Sequence, residues 1–167
     1  GGANFSFSNA GSLIYVPGPA STSTASAQDI VLIDRKGSVE PLKLSLAAYE
    51  YPRVSPDGKW LTFGTDDGKE SVVWVYNLAG ASAARRLTFG GRNRFPLWSA
   101  DSRRIAFQSD REGDLAIWWQ LADGTGTAER LTKPEQGAAH TPESWSPKSN
   151  QFLFGVTKGT TTSLWMY

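Results

Sequence analysis

The chain has 167 residues, of which 40% are hydrophobic and 12% aromatic, which is enough for one domain with a buried core. Its 17 lysines and arginines against 16 aspartates and glutamates argue against a nucleic-acid-binding protein, since such proteins carry a clear basic excess. The absence of cysteine excludes disulfides and thiolate metal sites. No run of about 18 apolar residues occurs, so we expect no membrane insertion.

One motif recurs along the chain: a serine that opens a tight turn, followed by an apolar strand. The serines are Ser8, Ser55, Ser99 and Ser146, at intervals of 47, 44 and 47 residues. Aromatic residues follow them at fixed offsets, namely Phe63, Phe107 and Phe154 eight residues on and Trp74, Trp118 and Trp165 nineteen residues on. A period in the forties with four strand-like segments per unit is typical of β-propeller blades.

The predicted strands come from segments rich in β-branched and aromatic residues, and no segment shows a helical apolar stripe. In the second repeat, strands A to D are predicted at residues 53–55, 60–65, 72–76 and 85–88, and in the third repeat strands are predicted at 105–109 and 116–120. The turn at residues 55–58 fits type I, with Gly58 in the left-handed position that follows it. Ser102 and Ser149 occupy this position in later repeats, where we expect some backbone strain.

We therefore predict an all-β fold: one β-propeller domain spanning residues 1–167, built of about four four-stranded antiparallel blades. The blades are expected near residues 1–44, 45–90, 91–135 and 136–167, with a mobile loop at 17–28. The last blade lacks its strand D, so we expect a segment of a larger protein. The apolar edge at 163–167 then favours pairing of two copies, as a dimer that could form an eight-bladed ring.

Large aromatic side chains are expected between the blades, where they fill the wedge from one sheet to the next. A buried Trp or Phe removes about 150–250 Å² from water, which is worth roughly 4–6 kcal/mol as an upper bound. The tryptophans that we assign to this core are Trp74, Trp98, Trp118, Trp145 and Trp165.

The segment "PLWSADSRRIAFQSDREGDLAIWW" at 96–119 and the "RLT" triplets at 86–88 and 130–132 carry a resemblance to a known family. The repeats resemble TolB-type, WD-repeat-like β-propellers, as in TolB and the C-terminal propellers of some bacterial serine/threonine kinases. The chain has no kinase motif, so that activity is not implied. TolB-like propellers are typically exported, so the resemblance favours the periplasm or the cell exterior.

The segment before strand A of each blade normally lines one mouth of a propeller channel, so candidate binding residues are sought there. They are Tyr49, Tyr51, Arg53, Arg92, Arg94, Phe95 and His140. Tyr, Phe and Arg are enriched at protein-binding surfaces, so these residues favour a protein or peptide partner. The alternative is that they are solvated loop residues. The leading interpretation is a non-catalytic scaffold that binds a protein or peptide at this mouth.

A hydrolase, either a glycosidase or an esterase, is the alternative function. Glu50 and Glu143 would face each other across a four-bladed ring, as the paired carboxylates of a glycosidase do, although their offsets from the turn serine differ. A Ser-His-Asp triad would require His140, the only histidine, and no Gly-x-Ser-x-Gly motif is present.

No metal or other cofactor is predicted. A site with several imidazoles is impossible with one histidine. The acidic residues that could bind calcium lack the register of a calcium loop and are better explained as turn formers: Asp66, Asp67, Asp110, Glu112 and Asp114. The basic pairs at 85–86 and 103–104 are expected to be solvated.

Overall fold

A computed structural model describes residues 5–7, 13–15, 29–45, 47–80, 82–148 and 151–167. In these residues the backbone forms fifteen β-strands in four antiparallel sheets and no helix. Consequently, none of them lies in a helix long and apolar enough to cross a membrane. The predicted loop at 17–28 and the first turn serine, Ser8, lie outside the described residues.

Each sheet is a meander in which strands that neighbour one another in the sheet are consecutive in the chain. Blade 1 contains β1 (Phe5–Phe7), β2 (Leu13–Tyr15), β3 (Val31–Ile33) and β4 (Val39–Pro41). Blade 2 contains β5 (Tyr49–Val54), β6 (Trp60–Asp66), β7 (Ser71–Asn77) and β8 (Arg85–Arg86). Blade 3 contains β9 (Asn93–Trp98), β10 (Arg104–Ser109), β11 (Ala116–Leu121) and β12 (Glu129–Arg130). Blade 4 contains β13 (Ala138–Trp145), β14 (Phe152–Lys158) and β15 (Thr161–Met166), which confirms the predicted all-β fold with an incomplete last blade.

Adjacent blades pack mainly through the first strand of the later blade. β5 contacts β1 and β2, β9 contacts β5, β6 and β7, and β13 contacts β9, β10 and β11. Within the described parts of blades 1 and 4, no comparable contact joins these two blades. Among the described residues, blades 1 and 4 therefore each contact one neighbouring blade.

The core between blades 2 and 3 shows why the aromatic residues recur. Val73 and Val75 of β7 pack against Trp98, Phe107 and Trp118 of blade 3. Phe107 is fully buried, and Trp98 and Trp118 are 4% and 6% exposed. The aromatic face of a later blade thus covers the β-branched face of the blade before it.

Trp165 is an exception, and its assignment to the core is wrong: its side chain is 56% exposed. The equivalent tryptophans lie on strands with a fourth strand beside them, where Trp74 pairs with Arg86 of β8 and Trp118 pairs with Arg130 of β12. β15 pairs with β14 on one side, but within the described part of blade 4 no fourth strand pairs with its outer edge, so Trp165 lacks the neighbour that Trp74 and Trp118 have.

The triplet Arg-Leu-Thr attaches the outer edge of blade 2 to the sheet. The Leu87 N–H donates to the Val73 carbonyl at 2.9 Å, and the Val73 N–H donates to the Thr88 hydroxyl at 3.0 Å. Arg86 forms an ion pair with Glu70 at 2.9 Å and donates to the Thr88 carbonyl. Because the Thr88 hydroxyl, and not a backbone carbonyl, accepts the Val73 N–H, β8 ends at Arg86, earlier than the predicted strand.

Blade 3 repeats these contacts. The Leu131 N–H donates to the Ile117 carbonyl at 2.8 Å, and the Ile117 N–H donates to the Thr132 hydroxyl at 2.9 Å. Arg130 forms ion pairs with Asp114 and Glu112. The recurrence explains why the triplet is present in both blades.

The turn serine organises its own loop. The Ser55 hydroxyl donates to Asp57 at 2.5 Å and accepts from the Trp60 N–H at 3.0 Å. Gly58 has φ of 74° and Ser102, at the same position in blade 3, has φ of 59°. The strain predicted at Ser102 is therefore confirmed, whereas Ser149 lies outside the described residues.

Thr88→Val and Thr132→Val should each lower the free energy of unfolding by about 1–3 kcal/mol, because each leaves a buried N–H without its acceptor. Chemical denaturation would measure the loss. Thr127→Val, at an exposed position, is the control and should change stability little. Equal stability of all three variants would contradict the role assigned to the threonine hydroxyl.

Candidate functional site

The first strands of blades 2, 3 and 4 each contain an irregularity next to a proline. In β5, Tyr51 and Pro52 together occupy the place opposite one residue of β6, and in β9 Phe95 and Pro96 do the same opposite β10. In β13 the register shifts at Glu143. These are β-bulges, which redirect side chains and are common next to binding and active sites.

The bulge residues Tyr51 and Phe95 have left-handed backbone conformations, with φ of 51° and 55°. This conformation costs an L-residue roughly 1–2 kcal/mol, and a following proline disfavours it further. Their rings lie 4.6 Å apart between centroids, inclined at 54°, and so meet across the interface of blades 2 and 3. Such strain persists only where the surrounding structure enforces it, and it clusters at functional sites.

The two rings contribute to an open cavity of about 400 Å³. The first strands of three blades line it: Tyr51 and Arg53 come from β5, Phe95 from β9, and Thr141 and Glu143 from β13. We call it the first-strand cavity. It brings together three of the predicted binding residues, Tyr51, Arg53 and Phe95.

Arg53 is half-buried in this cavity. Burial lowers the pKa of its guanidinium, and the nearby charge of Glu143 raises it. One guanidinium nitrogen donates to the Pro52 carbonyl at 3.1 Å, and the Trp98 indole N–H donates to the Arg53 carbonyl at 3.0 Å. The backbone of Arg53 is therefore held in place by blade 3.

Arg92 and Arg94 lie close together, but both pair with Asp66. Asp66 accepts from Arg94, from Arg92 at 3.3 Å and from the Ser71 hydroxyl at 2.7 Å. Burial raises the pKa of Asp66, but the hydrogen bonds from Ser71, the Gly68 N–H and Arg94 outweigh it and hold the pKa well below its ordinary value. These two arginines therefore hold blades 2 and 3 together, and we leave them out of the proposed binding site.

The two glutamates considered as a catalytic pair lie in different surroundings. Burial raises the pKa of Glu50, and Arg94, Asp66 and Arg92 are the charged groups that act on it. Glu143 is exposed and lies in the first-strand cavity with Arg53. Glu143 thus lines the first-strand cavity, whereas Glu50 does not.

Tyr49 and His140 are both largely buried. Tyr49 is 7% exposed, stands edge-on to Phe63 at 5.1 Å and donates its hydroxyl to the Ser45 carbonyl. His140 is 8% exposed and lies 5.1 Å from Phe154, and burial lowers its pKa. Tyr49 belongs to the core between blades 1 and 2, and His140 borders a second cavity together with Phe154. Neither residue lines the first-strand cavity.

The acidic residues considered for calcium have other partners. Asp67 accepts the Lys69 N–H at 2.8 Å, and Asp110 accepts the Arg92 N–H at 2.7 Å. Asp66 pairs with Arg92 and Arg94, while Glu112 and Asp114 pair with Arg130. Among the residues that the structure describes, no three acidic or histidine side chains converge to hold a metal ion.

The bulges and the contact between Tyr51 and Phe95 do not appear among the sequence-based expectations. The signal for them is a dipeptide ending in proline, three or four residues before the turn serine: Tyr51-Pro52, Phe95-Pro96 and Thr141-Pro142. A proline at this point lacks the N–H for regular pairing, so its recurrence indicates an irregular strand.

Comparison with known proteins supports the fold. No protein-family model matches the sequence. The chain is similar to an uncharacterized peptidase of Bacillus subtilis, YuxL, with 30% identity over 114 residues, which are 65% of this chain and 17% of YuxL. It spans less than a third of the length of the curated relatives that it matches.

Two solved structures are similar to this chain over most of its length. A putative TolB from Agrobacterium tumefaciens aligns with a TM-score of 0.74 and 22% identity, over 93% of this chain and 57% of that one. The β-propeller domain of the Trilobed protease from Pyrococcus furiosus, reported to have an open velcro topology, aligns with a TM-score of 0.62 and 17% identity, over 97% and 56% of the two chains. The chain thus has a TolB-type β-propeller fold, as its repeats predicted.

Asp66→Asn should lower the free energy of unfolding at pH 7 by about 1–3 kcal/mol, because Arg92 and Arg94 lose their carboxylate. The depressed pKa means that the ionised carboxylate contributes stability above its ordinary value of 3.8, and that this contribution is lost as pH falls through the folded-state pKa. The difference in free energy of unfolding between the wild type and Asp66→Asn should therefore shrink below pH 3.8. Thermal melts across pH would measure it.

Glu135→Gln is the matched control, because Glu135 pairs with Lys158 while 83% exposed and should contribute little. If the stability difference between the wild type and Asp66→Asn stayed constant down to the lowest pH, the role assigned to Asp66 would be contradicted.

Proposed function

We propose that the chain is a non-catalytic propeller segment that binds an extended protein or peptide segment at the first-strand cavity. The observation that carries this proposal is the strained pair Tyr51 and Phe95, whose rings border an open cavity beside a half-buried Arg53. Tyrosine, other aromatic residues and arginine are the side chains that contribute most to protein recognition. Holding the rings in place before binding lowers the ordering cost on association.

The size and depth of the cavity suit a short peptide segment. Its volume of about 400 Å³ is open to solvent on one side and is bordered by strands of three blades. Small-ligand pockets span about 300–1,000 Å³, so this cavity accommodates a few side chains rather than a whole folded domain. A partner would insert one or two residues and lie across the blade surface.

Peptidase chemistry is not proposed, although YuxL is named a peptidase. The aligned segment is only 17% of that protein. His140, the only histidine of the chain, is buried, and its Nδ1 has no hydrogen-bond partner among the described residues. A serine nucleophile needs a histidine within hydrogen-bond reach that is itself oriented by a third group.

Selection of a phage-displayed library of random heptapeptides against the chain would test the proposal. The variants Tyr51→Gly and Phe95→Gly remove a ring without adding left-handed strain, because glycine adopts this backbone freely. We expect enriched peptides to bind each variant at least about tenfold more weakly, as is typical for removal of an aromatic anchor.

Phe89→Ala is the control, since Phe89 is a 70% exposed aromatic residue that does not line the cavity. Unchanged binding to Tyr51→Gly and Phe95→Gly would place the peptide elsewhere. Failure to enrich any peptide would oppose a binding function.

We also propose that two copies associate through blade 4. The last residues of the chain are exposed although apolar: Leu164 is 64%, Trp165 56% and Met166 66% exposed. An unpaired apolar strand edge favours pairing with another chain. A dimer that closes as an eight-bladed ring would place blade 4 of each copy against blade 1 of the other.

Light scattering over a range of concentrations would measure this association. Leu164→Lys and Met166→Lys should shift the mass to that of a monomer, since a buried lysine opposes an apolar interface. Phe89→Lys is the control, at an exposed position outside blade 4. A monomer mass for the unchanged chain at every concentration would rule the association out.

A further inference from the structure

We infer that the first-strand cavity binds a carboxylate of its peptide ligand, from either the C terminus or an acidic side chain, and that Arg53 is the group that receives it. This inference rests on the proposed peptide-binding function and specifies the chemistry of the ligand. It comes from the contrast between Arg53 and the other arginines that the fold buries.

The other half-buried arginines of blades 2 and 3 have partners in the fold: four pair with carboxylates, and Arg111 instead donates to Asn93 and lies over the Trp118 ring. Arg86 pairs with Glu70, Arg94 with Asp66, and Arg130 with Asp114 and Glu112. No carboxylate oxygen of a described residue lies within 4.0 Å of the Arg53 guanidinium. A guanidinium has five N–H donors, and the structure shows one of them bonded, to the Pro52 carbonyl.

The repeat itself does not require a charge at this position. Arg53 follows the left-handed residue Tyr51 by two positions, and in blade 3 the residue two positions after Phe95 is Leu97. Leu97 also lines the cavity and packs against the core between blades 3 and 4. An apolar residue thus satisfies the fold where blade 2 places a cation.

Partial burial strengthens the case for an anionic ligand. Arg53 is half-buried, so its charge lacks part of its hydration, and this burial lowers the pKa of its guanidinium. A carboxylate bound to the guanidinium through two parallel hydrogen bonds would replace that lost hydration, and arginine is the residue best shaped for such a contact. The Tyr51 and Phe95 rings beside it suit an apolar side chain next to the carboxylate.

Glu143 opposes this ligand from the other wall of the cavity. It is exposed, and although its charge acts on Arg53, it lies beyond ion-pair distance. A ligand carboxylate beside Arg53 would be repelled by Glu143, so removal of this charge should strengthen binding. A hydrolase that used Glu143 as acid or base would instead lose turnover in Glu143→Gln.

Three N-acetylated tripeptides would test the inference: Phe-Ala-Phe as the free acid, Phe-Ala-Phe as the amide, and Phe-Asp-Phe as the amide. Titrations followed by backbone and arginine side-chain ¹H–¹⁵N signals would give dissociation constants. We expect at least one of the two carboxylate peptides to bind about tenfold more tightly than the neutral amide, which corresponds to about 1.4 kcal/mol. The better of the two identifies the source of the carboxylate.

Three variants separate the contribution of the Arg53 charge to peptide binding from that of the Glu143 charge. Arg53→Gln should abolish the preference for the carboxylate, and Glu143→Gln should strengthen binding of the carboxylate peptides while leaving the neutral amide unchanged. Arg35→Gln, in an exposed turn of blade 1, is the control and should match the wild type. If Arg53→Gln fails to fold, Glu143→Gln still tests the charge dependence.

The outcomes distinguish this inference from the function on which it rests. Equal binding of all three peptides would overturn carboxylate recognition and leave peptide binding in place. Weaker carboxylate binding to Glu143→Gln would also overturn it. If none of the three tripeptides binds but the selection still enriches heptapeptides, only carboxylate recognition is overturned. If the selection also enriches no peptide, the proposed peptide-binding function is overturned as well.

Discussion

The structure depends on the contact of one blade with the next. The β-branched face of a blade, such as Val73 and Val75, is covered by the aromatic face of its successor, including Phe107 and Trp118. These side chains supply the apolar burial that an isolated four-stranded sheet cannot obtain for itself. Every other feature, from the turn serines to the outer Arg-Leu-Thr triplets, positions strands so that this contact repeats.

The candidate site results from the same repetition, through the prolines of the first strands. Proline lacks the N–H that regular pairing needs, and the extra residue is accommodated as a bulge. In β5 and β9 the bulge turns Tyr51 and Phe95 into the left-handed region and brings their rings together. Because first strands of neighbouring blades lie side by side, the bulges of three blades border one cavity.

The sequence predicts the blades because their signals are local. Alternation, the turn at Ser55 and the offsets of Phe63 and Trp74 need no knowledge of distant contacts. The site is less predictable: that Arg94 is neutralised by Asp66 while Arg53 has no carboxylate partner depends on residues from different strands. Tyr51, Arg53 and Phe95 were identified by position, whereas the burial of Tyr49 and His140 follows only from packing between blades.

Within the described residues, the four blades differ in how many neighbouring blades they contact. Blades 2 and 3 are covered on both faces, whereas blades 1 and 4 each contact one neighbour within the described residues. In proteins built of stacked repeats, each unit is stabilised through its interfaces with its neighbours. The first-strand cavity is lined by Tyr51, Arg53 and Phe95 of blades 2 and 3 and by Thr141 and Glu143 of blade 4. A shift of blade 4 against blade 3 would therefore move one wall of the cavity while the aromatic wall stayed in place.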